Sequence, residues 1–158
     1  MNDEADAARV WFRLIRLQTR ISLAITDRVR ELGLSLPQCD VLTTLTEREG
    51  VSQQELAERL YVTKGNISGL IDRLEAAALV ERRSIAGDKR SHAIYLTDNG
   101  RILAEKGIAV QRSFVAKTLG RLPPDQLATL DHLLVMTRDL VREQTGESAR
   151  RVRRSAAG

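Results

Sequence analysis

The tightest constraint on this chain is a change of period in its middle third. From residue 52 to about residue 78 apolar residues recur every three or four positions in two short blocks; from residue 80 to residue 97 they fall in brief runs around a turn. Ser52-Gln53-Gln54-Glu55 has the spacing of a capping box, a serine at the N-cap and a carboxylate three residues on. It opens a short helix through Leu60 that turns Leu56, Ala57 and Leu60 inward. Tyr61-Val62 is a brief turn. Thr63 then caps a second helix to Ala77, with Ile67, Leu70, Ile71 and Leu74 on one face. Val80–Ile85 and Ala93–Leu96 read as short strands joined by a turn at Ala86-Gly87-Asp88. Two short helices across a tight turn, followed at once by a hairpin, predict a helix-turn-helix with a β-wing.

Helical stretches flank this unit. Asp3 to Leu32 contains neither Pro nor Gly, and Val10, Leu14, Leu17, Ile21, Ala24 and Ile25 form one stripe beside a second that includes Trp11, Ile15 and Val29. Gly33 stops that helix, and Ser35-Leu36-Pro37-Gln38 starts another with a second capping box and a first-turn proline. Beyond the hairpin, helices are expected over Thr97–Leu119 and Pro124–Val141. Aromatic residues are 3% of the chain, so its core must be built from Leu, Ile, Val and Ala. Such flanking helices carry more apolar surface than a thin monomer can cover, and a twofold mate would bury it.

The middle unit has the residue types that reading DNA requires. In a helix-turn-helix the second helix lies in the major groove. At its start stand Thr63, Lys64, Gly65, Asn66 and Ser68, with Arg73 further along and Ser52 and Gln53 opening the helix before it. Asn can pair bidentately with adenine, Lys can approach guanine or a phosphate, and Ser and Thr hydroxyls can bond either. Gly65 and Gly69 cost helix propensity but let a helix sit close to the groove floor. Around the hairpin turn cluster Arg82, Arg83, Lys89, Arg90 and His92, with Glu81 and Asp88 as the acids. A basic tip suits the narrow minor groove, where negative potential is strongest and Arg90 could enter. Asp88 opposes phosphate and is best used to hold Arg90 or the loop in shape. The plain alternative is a solvated charged hairpin whose exposed ion pairs contribute little.

The run Asp88-Lys89-Arg90-Ser91-His92-Ala93-Ile94-Tyr95-Leu96-Thr97 resembles the wing signature of MarR-family regulators, an Asp-x-Arg turn leading into a strand that ends Leu-Thr. Ser52–Ala57, Lys64–Glu75 and Leu79–Arg82 are similar to that family's two DNA-binding helices and its entry into the wing. The likeness covers residues 35 to 100; outside them it rests on helix order alone. It implies that Arg90 enters the minor groove and Asp88 positions it. It also implies a repressor that dimerises through its terminal helices and releases DNA when a small ligand or oxidant acts.

The expected fold is therefore mainly α with a small β-hairpin, a winged helix-turn-helix flanked by N- and C-terminal dimerisation helices. Residues 1–34 and 98–145 form the dimerisation region, 35–97 the DNA-binding domain, and 146–158 a basic tail expected to be disordered. The expected partners are double-stranded DNA, read as a palindrome, and a second copy of the chain. An architectural protein indifferent to sequence, and a thiol-based redox regulator, are the alternatives. The net charge of +4 is weak support for nucleic acid, because the last ten residues hold four arginines and no acid.

Other candidates are weaker. Cys39, the only cysteine, excludes a disulfide framework, and its apolar neighbours Val41-Leu42 suit a small buried hydrophobe better than a redox sensor. His92 and His132 lack ligand neighbours at metal spacing, and neither a cofactor nor a metal is expected. Trp11 with Arg13 and Arg16 could line a pocket for a small anionic aromatic ligand, as the likeness to the family's urate-responsive branch implies. Packing for Trp11 and surface charge for the arginines is the simpler reading. There is no nucleophile beside a base and no glycine-rich phosphate loop, so no enzyme is expected. The longest apolar run, Ala76–Val80, is too short to span a bilayer, and the acidic N-terminus has no signal-peptide pattern. A cytoplasmic protein without membrane attachment is the expectation.

Overall fold

The computed structural model describes residues 3–85 and 88–145, with the backbone alone for residues 3, 85 and 88–91. The Ala86-Gly87 turn and the basic tail from residue 146 lie outside the described residues. In chain order the elements are α1 (Asp3–Arg30), α2 (Leu36–Glu47), β1 (Val51–Ser52), α3 (Gln53–Leu60), α4 (Lys64–Ala76), β2 (Val80–Ile85), β3 (Asp88–Leu96), α5 (Asp98–Lys117), a 3-10 turn (Leu119–Arg121) and α6 (Pro124–Thr145).

Local chemistry sets most of these boundaries. Ser35 and Gln38 form a reciprocal capping box at the start of α2, as do Ser52 and Glu55 at α3. Thr63 Oγ1 accepts from Asn66 N at 3.3 Å to open α4. Gly33, at φ +75°, takes the left-handed conformation that ends α1. Between α3 and α4 that conformation falls to Tyr61, at φ 54°.

The sheet is larger than a hairpin. Its order is β1-β3-β2, all antiparallel, because Val51 and Ser52 pair with Ile94 and Ala93. Strand β3 also starts earlier than its apolar pattern suggests, at Asp88 rather than Ala93. A register irregularity falls between Ser84 and Ile85.

The described residues belong to a first compact unit through Phe114 and a second from Val115. In the first, Leu42, Leu45, Leu56, Ile67, Ile71, Leu74 and Ile94 are fully buried, joined by Val29 of α1 and Cys39 of α2. Each such Leu or Ile contributes about 1.5–3 kcal/mol on burial. The start of α5 is clamped to the link between α4 and β2. Thr97 N donates to Leu79 O at 3.1 Å and Thr97 Oγ1 to Ala78 O at 2.7 Å. A Cβ on Gly100 would stand 1.8 Å from Leu79 O, so only glycine fits there. In the second unit α6 buries none of its residues, and Leu133, Leu134, Met136 and Leu140 are all exposed.

Candidate nucleic-acid interface

Helix α4 is held by one face. Ile67, Leu70, Ile71 and Leu74 are buried, and at about 100° per residue the opposite face centres on Gly65 and Gly69. Lys64, Gly65, Asn66 and Arg73 are exposed and Ser68 is half-buried, so these expected contacts rim that face. The side chains of Lys64 and Asn66 bond to nothing among the described residues, which leaves their donors and acceptors open. Thr63 and Ser52 spend their oxygens on capping, although each hydroxyl stays near the surface. Gln53 is half-buried, and its Nε2 is buried without a partner among the described residues.

Strand alternation divides the arginines of the hairpin. Arg82 shares its side of β2 with Val80 and pairs across the ladder with fully buried Ile94. Its side chain is only 20% exposed, and its guanidinium donates to Asp72 Oδ1 at 2.5 Å and to Glu75 Oε2, both on α4. Burial works against its charge, but the bonds and charges of these two carboxylates outweigh that and raise its pKa. Arg83 lies on the other side. It pairs with Glu81 and stacks 4.1 Å from the Tyr95 ring centroid, still well exposed. His92, opposite Ser84, is exposed. Asp88, Lys89 and Arg90 belong to β3, but their side chains lie outside the described residues, and so does any Asp88–Arg90 contact. Sequence reasoning put Arg82 with the open cations and did not find Asp72, Glu75 or Tyr95. The available signal was parity, since Arg82 stands two residues from inward-facing Val80.

Glu49 ties this region to α5. Its carboxylate accepts from Leu96 N at 2.8 Å and from Arg101 at 2.9 Å. The Arg101 bond, then the Leu96 amide and nearby positive charge, lower its pKa against a smaller cost of burial.

The remaining candidates stay apart. Cys39 is fully buried, and desolvation, followed by the charge of Asp40, pushes its pKa up to about 11. That holds a thiol rather than the reactive thiolate. Trp11 and Arg16 are both exposed on α1. Five residues apart on one helix, they project about 140° from each other, so α1 alone does not bring them together. Among the described residues, no group of three or more His, Cys, Asp or Glu could hold a metal ion, and no helix is long and apolar enough to cross a membrane.

The fold recurs in known proteins. The MarR family is matched by its family model over residues 32–91. The HTH-type transcriptional repressor Rv2887 of Mycobacterium tuberculosis is 32% identical over 130 residues, 82% of this chain and 94% of that protein. The chain belongs to the MarR family. The crystal structure of the MarR family protein Rv2887 matches with a TM-score of 0.65 at 30% identity, covering 84% of this chain and 96% of that one. A second structure, Rv2887 in complex with salicylic acid, matches at 0.63 over 80% and 93%. The S. aureus MepR–DNA complex shares the fold, with a TM-score of 0.75 at 21% identity over 84% and 96% of the two chains. The MarR winged helix thus accounts for the mainly helical architecture with its small antiparallel sheet, and family and fold are those of transcription regulators.

Proposed function

We propose that this MarR-family chain is a repressor that binds a palindromic operator as a homodimer, with α4 in the major groove and the β2–β3 wing against the flanking minor groove. One observation carries the reading: α4 turns outward a face of two glycines rimmed by Lys64, Asn66, Ser68 and Arg73, the first two of them unbonded within the described chain. A helix built to pack elsewhere in its own fold would present apolar side chains there. The MepR complex, solved with DNA on the same fold, supports DNA as the partner. Residues 35–97 then read DNA, with Arg90 as the wing arginine and Asp88 holding it.

Residues 1–34 and 98–145 form the dimer in this reading. Trp11, Phe12 and Leu17 on α1 are each more than half exposed, as are Leu133, Leu140 and Val141 on α6. Large apolar side chains left exposed on each of these helices are the kind of surface that a partner covers. A small anionic aromatic acid is the proposed effector, because a relative at 30% identity is solved with salicylic acid. Arg16 and the partner's cover over Trp11 would supply charge and wall.

Footprinting on genomic fragments tests the function. Expected are discrete protected sites with twofold symmetry, half-sites about one helical turn apart, and specific binding roughly 10³-fold or more above random duplex. A uniform ladder would replace the repressor with an architectural binder. Light scattering should give twice the 17.6 kDa chain mass; a monomer at micromolar concentration removes the dimer. Salicylate should weaken operator binding, and indifference to it removes this effector class.

A further inference from the structure

We propose that Arg82 is a positioning residue: from strand β2 it bridges Asp72 and Glu75 of α4, so that the recognition helix and the wing keep one relative setting, and it makes no contact with DNA itself. The proposal rests on the DNA-binding reading above and assigns a different role to a residue that sequence alone groups with the phosphate contacts.

The geometry separates Arg82 from its neighbours. Asp72 and Glu75 are three apart on α4 and so share a side of the helix. Arg82 meets them with different nitrogens, one to each carboxylate. The planar fork of a guanidinium can hold two acceptors at once, where an ammonium acts as a point charge. With two carboxylates against one cation, the cluster carries a formal charge of −1. A phosphate approaching it gains nothing.

The link it spans needs a brace. Between α4 and β2 lie only Ala77, Ala78 and Leu79, with Ala78 in the left-handed conformation at φ 54°. Thr97 ties down that link at Ala78 and Leu79, close to the pivot. Among the described residues, Arg82 is the ion pair to α4 further out along β2. From Leu79 to the end of β2 at Ile85 is about 20 Å of strand, at about 3.3 Å per residue. A 10° swing about the link therefore moves that end by about 3.5 Å. The minor groove is about 6 Å wide, so such a swing takes the wing out of register with α4.

The test compares Arg82→Gln, Arg82→Lys and the pair Asp72→Asn/Glu75→Gln with wild type, on operator and random duplex from about 50 to 200 mM salt. Asp72 and Glu75 side chains are 63% and 41% exposed, so the carboxamide pair is expected to fold. That pair removes negative charge, so phosphate attraction alone would tighten its binding. The bridge instead gives about tenfold weaker operator binding with random-duplex binding kept or increased. Arg82→Gln should lose about as much with an unchanged salt slope, and Arg82→Lys should fail to restore it. If Arg82→Gln lowers the log–log salt slope by about 0.9, or lysine restores affinity, Arg82 touches phosphate and the proposal fails. Tighter operator binding by the carboxamide pair overturns it as well. Hydrogen exchange without DNA decides the bridge independently. Arg82→Gln should speed exchange in β2 and the second half of α4 but not in α2, and unchanged protection there refutes the brace. A wild type that binds no duplex would overturn the DNA-binding reading, while the exchange result still judges the bridge.

Discussion

The two glycines of α4 give a test in which stability and function should move in opposite directions. Gly in a helix costs about 0.5–1 kcal/mol relative to Ala, so a glycine kept there needs a reason. The fold offers none. A Cβ built on Gly65 meets nothing within 4 Å, and one on Gly69 meets only the Arg73 Nη1 at 3.7 Å, an ordinary contact. Both face away from Ile67, Leu70, Ile71 and Leu74. Gly65→Ala and Gly69→Ala should therefore introduce no clash. Gly69, in the helix interior, is worth close to the full amount, and Gly65, in the first turn, less. The double variant should gain about 1–1.5 kcal/mol. At about 2–4 °C per kcal/mol for a chain of this length, Tm rises by about 2–6 °C.

DNA binding should respond the other way. If the outer face of α4 lies against the groove, two methyl groups stand between helix backbone and base edges. Operator affinity should fall tenfold or more, equivalent to about 1.4 kcal/mol, while binding to random duplex changes little. Thermal melts by circular dichroism and fluorescence anisotropy on an operator duplex read both quantities from one preparation. A variant that is more stable and binds the operator unchanged would falsify the close approach. A less stable variant would mean that the glycines serve the fold after all.

Other expectations are narrower. Asn66→Ala should relax sequence preference by about 1–3 kcal/mol at one position per half-site, measured by competition with single-base operator variants; equal losses on every sequence would make Asn66 a backbone contact. Arg90→Ala should weaken operator binding strongly and leave the dimer intact by light scattering, and unchanged affinity removes the wing contact. The lowered pKa of Glu49 means that its ion pair adds stability above the ordinary carboxylate pKa of 4.5 and loses it as pH falls through the lower folded value. Glu49→Gln keeps the acceptor for Leu96 N but not the charge, so it should be less stable than wild type at pH 7, with the gap closing in acid; a deficit independent of pH contradicts the ion pair. A Cβ on Gly107 would stand 2.5 Å from Cys39 Sγ. Gly107→Ala should thus destabilise by about 1–3 kcal/mol, and Cys39→Ala in the same chain should recover much of that in urea melts, whereas additive costs would mean the strain lies elsewhere.

How much of this was legible in the sequence follows from the range of the interactions concerned. Ser35 with Gln38, Ser52 with Glu55 and Thr63 with Asn66 act over three residues, and each helix start stands where its capping pattern places it. Val80–Ile85 was legible as a strand to the residue. Strand β1 was not, because two residues carry no period and become a strand only by pairing with Ile94 and Ala93, more than forty residues on. The early start of β3 was hidden for a related reason. Asp88 to Ser91 contain no apolar residue to alternate, and the strand reaches Asp88 only through that residue's pairing with Ile85, across the register irregularity. Burial of Cys39 could be read from Val41 and Leu42, but not its packing against Gly107, which depends on how closely α5 approaches α2.

The basic cluster of the hairpin shows what reading charge along a sequence leaves out. Arg82, Arg83 and Arg90 look alike as letters, and summing them suggests one electropositive tip. A strand does not present consecutive residues to the same neighbour. Arg82 shares the side of Val80 and meets the carboxylates of α4; Arg83, one residue on, turns to Tyr95 and Glu81 on the opposite side. One cation is thereby paired with two carboxylates and the next is left near solvent. The same alternation applies to any charged hairpin beside a helix. The residue in step with the buried positions should be tested as a brace first, and the salt slope distinguishes the two roles because a brace releases no counterions from DNA when it is removed.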